Sequence, residues 1–132
     1  MQTNKLVGTI PSQLYSLSKL GTVSIQENSG MNGTISPLIS QLADLSVLHL
    51  GFTDIGGLIP DELFSLTKLS DISFESAKFS GTIPESFRRL NASLMSLFLN
   101  DNNFTGKVPE AFDHLTALGK STLETTAIAE VV

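Results

Sequence analysis

Ser73, His49 and Asp71 are the residue types of a nucleophile, a general base and an orienting carboxylate. The first two hold the same slot of successive repeats, 24 residues apart. A working triad also needs the carboxylate behind the imidazole and preorganised donors waiting for the oxyanion. Asp71 instead lies on the serine's own segment, two residues before it, and an open sheet offers no dry pocket. Catalysis is therefore not expected. His114 falls in a different part of its repeat from His49, and cysteine is absent, so neither a metal centre nor thiol chemistry has a ligand set. Asn32, Asn91 and Asn103 each begin an Asn-x-Ser/Thr sequon in a segment that reads as loop or edge. They are candidate N-glycan acceptors if the chain is exported.

What must position these groups is a repeat. The unit from Leu45 to Lys68, LSVLHLGFTDIGGLIPDELFSLTK, can be laid over almost every other part of the chain. Its Gly-x-Ile-Pro element recurs at Gly8-Ile10-Pro11, Gly57-Ile59-Pro60 and Gly81-Ile83-Pro84. Val108 takes the Ile slot before Pro109, and Ser36 takes the Pro slot after Ile35. The glycines at 8, 33, 57, 81 and 106 are spaced by 25, 24, 24 and 25 residues. A fixed period of this length marks a stacked solenoid, in which a single unit cannot bury its apolar face without neighbours.

The pattern L-x-x-L-x-L-x-x-N-x-L-x-G-x-I-P resembles the plant-type leucine-rich repeat of receptor-like kinases, receptor-like proteins and polygalacturonase inhibitors, and the resemblance covers nearly the whole chain. It implies an α/β right-handed solenoid of about five turns, with a short parallel sheet on the concave face and 3₁₀ or helical turns on the convex face. Asn4, Asn28 and Asn102 fill the family's asparagine slot, whereas Thr53, Ala77 and Thr126 replace it. Ala77 has no side-chain donor or acceptor, so water or local distortion is expected to satisfy its backbone neighbours. Residues 1–132 read as one domain, a fragment of a longer protein without the flanking caps of the family, and the uncovered ends predict marginal stability or self-association.

Net charge is −5 with only eight basic residues, of which only Arg88 and Arg89 adjoin. A phosphate backbone needs clustered Lys and Arg, so nucleic acid is not an expected partner. Nowhere do about 18 apolar residues run together, so no membrane span is predicted. The N-terminal MQTNKLVGTIP has no signal-peptide pattern.

Leu-x-Leu spacing predicts parallel strands near residues 22–26, 47–51, 71–75 and 96–100, with a weaker one near 121–124. Equivalent outward positions then form columns about 4.8 Å apart per strand. One column is Ser24, His49, Ser73, Phe98, Thr122; beside it run Thr22, Val47, Asp71, Ser96, Lys120 and Gln26, Gly51, Glu75, Asn100, Glu124. A last column, Glu27, Phe52, Ser76, Asp101, Thr125, lies at the strand ends. His49, Phe52, Asp71, Glu75, Phe98, Asn100 and Asp101 combine aromatic, acidic and amide groups on this face and are the candidate ligand-contact residues.

One extra residue between Asn28 and Gly33 predicts a bulge near Ser29-Gly30, and a second insertion lies in Leu90–Leu94. Phe79 and Phe104 match Leu6, Met31 and Ile55 and should face the core. The segments DELFSLTK, ESFRRL and EAFDHL read as short helical turns with Pro60, Pro84 and Pro109 at the first helical position; Asp61, Glu62, Glu85 and Glu110 follow as dipole-compensating carboxylates. Thr9, Thr34 and Thr82 follow their glycines as an ice-binding array would require, but Leu58 and Lys107 break that row.

The resemblance implies a non-catalytic, extracellular or cell-surface recognition module for a protein, peptide or glycan, without cofactor. An inhibitor of a wall-degrading hydrolase and an intracellular scaffold are the alternatives.

Overall fold

A computed structural model describes residues 5–122. The expectations for Asn4, Glu124, Thr125 and Thr126 lie outside that range. Each turn contributes one strand to a main sheet, made by β2 (Thr22–Ser24), β4 (Val47–His49), β6 (Asp71–Ser73), β8 (Ser96–Phe98) and β10 (Lys120–Thr122). All pair in parallel and in sequence order. The expected strands are thus present, though three residues long. Pairing nonetheless runs on past them, since the amides of Leu50 and Phe52 donate to the carbonyls of Ser73 and Glu75 at 2.8 and 2.9 Å.

That extended ladder stops where the backbone turns left-handed. Glu27, Phe52, Ser76 and Asp101 have φ of 61°, 56°, 51° and 57°, a conformation that costs a non-glycine residue about 1 kcal/mol or more. It redirects the chain from the strand into the asparagine slot. There Asn28 donates to the carbonyls of Ile25 and Gln26 and accepts the amide of Leu6 from the turn before. Thr53 does a smaller version of this job, donating to the Leu50 carbonyl and accepting from the Ile55 amide.

Ala77 overturns the expectation of water or distortion. Asn102, one turn later, reaches back: its Nδ2 donates to the Phe74 carbonyl at 2.7 Å as well as to Leu99 and Asn100, and its Oδ1 accepts the Phe79 amide at 3.0 Å. One asparagine therefore satisfies two turns.

After this ladder comes a second set of parallel strands: β1 (Val7–Thr9) with β3 (Gly30–Asn32), and β5 (Gly56–Gly57), β7 (Lys78–Thr82) and β9 (Asn103–Thr105). Its partners are two residues short of a full repeat, so Gly8 lies beside Met31 and Gly81 beside Phe104. Gly33 shows why the slot is glycine: φ is +85°, and an added Cβ would sit 2.9 Å from the methyl of Thr9 above it. The bulge expected at Ser29-Gly30 is instead a turn closed by the Met31 amide on the Asn28 carbonyl, and Gly30 already belongs to β3.

The convex side carries 3₁₀ turns at Ser12–Ser16, Pro37–Gln41, Asp61–Ser65, Glu85–Leu90 and Glu110–His114. Proline stands one position earlier than expected, as the extended N-cap with ψ near 139° at Pro11, Pro60, Pro84 and Pro109. Only Pro37 is inside its turn, behind Ser36, whose hydroxyl accepts the Leu38 amide. The second insertion lengthens one turn to Leu90 and closes it with the Leu94 amide on the Leu90 carbonyl.

Between these layers lies a continuous core of Leu, Ile and Phe. Phe74, Phe79 and Phe104 form one aromatic stack, with centroids 4.5 and 6.4 Å apart, and Phe64, Phe87 and Phe112 a second, edge-to-face one.

Candidate functional site

The main sheet sets the columns by register. Ser24 pairs His49, His49 pairs Ser73 and Ser73 pairs Phe98, while Val47, Asp71, Ser96 and Lys120 align beside them. Of the seven candidate residues, His49, Asp71, Glu75, Phe98 and Asn100 are half-buried, and Phe52 and Asp101 are exposed. All seven lie on the strands of this sheet or at the strand ends.

Two polar pairs occupy its middle. His49 Nε2 is shut off from solvent and faces Asp71 Oδ1 at 3.1 Å on the next strand, without a hydrogen bond between them. Ser73 donates to Glu75 Oε2 at 2.5 Å. The serine proton is thus directed to a carboxylate on its own strand and not to the histidine. Ser73, His49 and Asp71 do not assemble as a relay.

Glu75 lies where it does because Gly51 has no side chain. An added Cβ at Gly51 would stand about 3.0 Å from the Glu75 backbone and carboxylate, so the glutamate folds across the neighbouring strand. Sequence reasoning placed Gly51 in this column but missed its role as floor. A glycine amid large outward residues was the available signal. At the strand ends Asn100 Nδ2 donates to Asp101 Oδ2 at 2.9 Å, and the Ser76 hydroxyl reaches the same oxygen at 3.4 Å.

Among the described residues no group of three or more His, Cys, Asp or Glu side chains is placed to hold a metal ion. No described helix is long and apolar enough to cross a membrane. The sequon asparagines are all exposed. Asn91 follows a 3₁₀ turn, whereas Asn32 and Asn103 lie in β3 and β9 and not in loops.

Residues 93–115 match the family model described as Leucine Rich Repeat. The ectodomain of the plant membrane receptor kinase GASSHO1/SCHENGEN3 from Arabidopsis thaliana, solved with CASPARIAN STRIP INTEGRITY FACTOR 2, superposes with a TM-score of 0.89 at 29% identity over 95% of this chain. This is a plant-type leucine-rich-repeat protein. The Arabidopsis receptor kinase HAESA, solved with the peptide hormone IDA and the co-receptor SERK1, gives 0.84 at 27% identity over 95% of the chain. A plant ice-binding protein gives 0.75 at 31% identity over 81%. The leucine-rich-repeat chain spans 15%, 21% and 34% of these three structures. No curated protein sequence matches it.

Proposed function

We propose that this chain is a non-catalytic recognition module of a receptor-like kinase or receptor-like protein, acting outside the cell or at its surface, and that it binds a peptide or protein segment on its concave sheet. One observation carries the reading. The main sheet turns outward a mixed set, Phe52, Phe98, His49, Asp71 and Glu75, whereas the inward residues of β2, β4, β6 and β8, Val23, Leu48, Ile72 and Leu97, are apolar and buried. Half of Phe52 is exposed to water, a cost that a binding partner would remove. Peptide hormones bound by the similar receptor ectodomains support a peptide as the ligand class. The similarity to an ice-binding protein finds less support here, because Leu58 and Lys107 interrupt the Thr9, Thr34, Thr82 row.

A synthetic peptide array probed with the chain tests this. Phe52→Ala and Phe98→Ala should each weaken binding of a hit by about 2 kcal/mol or more, while Glu110→Ala on the convex side leaves it unchanged. Silent phenylalanine variants together with a disabling convex one would refute the assignment.

A further inference from the structure

The charges of this molecule are sorted by face. Lys19, Lys68, Lys78 and Arg89 lie 3.6, 2.5, 3.9 and 3.2 Å from carboxylates of Asp44, Asp54 and Asp61, all off the main sheet. Across the sheet itself, residues 22–27, 47–52, 71–76 and 96–101 include Glu27, Asp71, Glu75 and Asp101 but no lysine or arginine. The first lysine of the sheet is Lys120, on β10, two strands from Asp71.

Two of these carboxylates sit half-buried in the middle, where a charge is more weakly screened than at the rim. Asp71 is met by an imidazole and Glu75 by a hydroxyl, so neither faces a lysine or arginine. Aromatic residues stand on the strands next to them: Phe52 donates its amide to the Glu75 carbonyl from the adjacent strand end, and Phe98, paired with Ser73, lies one strand across and two residues along from Asp71. Carboxylates and aromatic rings turned outward on neighbouring strands suit a planar cation that stacks on a ring and forks onto an acid. Arginine fits that description better than lysine, whose compact and strongly hydrated ammonium can do neither as well.

We infer that the occupant of the concave face is an arginine-bearing peptide segment, read by Asp71 and Glu75 with Phe98 and Phe52 as stacking walls. This rests on the concave-face reading proposed above and adds charge selection to it.

The test uses the whole chain and three fluorescent peptides that alternate serine with arginine, glutamine or glutamate, followed by anisotropy. The arginine peptide should bind, more weakly as salt is raised, and the glutamine and glutamate peptides should bind less well. Asp71→Asn and Glu75→Gln should each weaken the arginine peptide by up to about fivefold, with Glu62→Gln on the convex side unchanged and circular dichroism confirming that every variant folds. Equal binding of the glutamine or glutamate peptide, no binding by any of the three, or full affinity in both acid variants would overturn the charge selection. If Phe52→Ala and Phe98→Ala weaken binding while the acid variants do not, only this inference fails. If the arginine peptide binds and all four variants are silent, the concave-face reading fails with it.

Discussion

On the convex side and along the turn edges, charged groups reach from one turn to the next. Both Lys19 and Lys68 meet Asp44; Arg89 and the Ser86 hydroxyl meet Asp61; and Glu85 accepts the amides of Glu110 and Ala111 at 3.2 and 3.1 Å. Glu85 therefore caps the following 3₁₀ turn and not its own. On the concave sheet, Asp71 faces the His49 imidazole without a hydrogen bond, and Glu75 accepts from a serine on its own strand. A solenoid has to fasten each unit to its neighbour, and the edge and convex groups do so. The concave groups fasten little, so their chemistry is open to another use.

This contrast predicts that substitutions of cross-turn groups change stability and leave recognition alone. The largest effect belongs to Asn102, whose amide serves the carbonyls of Phe74, Leu99 and Asn100 and the amide of Phe79. Asn102→Ala leaves several part-buried groups unpaired and should lower unfolding free energy by about 2–3 kcal/mol, read by urea titration. A silent Asn102→Ala would mean that the two turns are held by side-chain packing alone. Next, Glu85→Ala removes a carboxylate cap and should cost about 1 kcal/mol, whereas Glu62→Ala, which makes no such reach, should be near neutral.

The smallest effect concerns acid. The hydrogen bond from Lys68, then its charge and that of Lys19, hold the Asp44 carboxyl below its usual range. A carboxylate whose folded value is depressed stabilises the fold above the unfolded carboxylate value, near pH 4, and loses that contribution as pH falls through the folded value. Asp44→Asn should therefore destabilise slightly at neutral pH and lose the acid-side slope below about pH 4. Because the Asp44 carboxylate still meets solvent and both lysines are largely exposed, added salt should shrink the difference.

Much of this was legible in the chain. Leucine spacing located the strands of the main sheet and the side chains that share a column, but not the second set of short strands around the glycines. Phe79 and Phe104 read as core because they occupied leucine slots. What escaped were arrangements that depend on the turn before or after. Ala77 looks deficient within its own repeat, and only the stacking distance to Asn102 shows that its neighbour supplies the missing donor. Glu85 looks like a dipole partner of its own turn until the next turn's amides are in place. The Ser73 to Glu75 bond depends on the space over Gly51, which a column of letters does not measure.

The left-handed bend at Glu27, Phe52, Ser76 and Asp101 has a consequence for engineering. Two carboxylates, a phenyl ring and a hydroxyl occupy one backbone shape, so the framework imposes the bend and the residue does not. The position behaves as an interchangeable socket. A phenylalanine moved from 52 to 76 or 101 would carry its aromatic contact along the sheet by about 4.8 or 9.6 Å while the loop path stays fixed. Graded displacement of this kind is what a designer needs to retune a binding face one turn at a time.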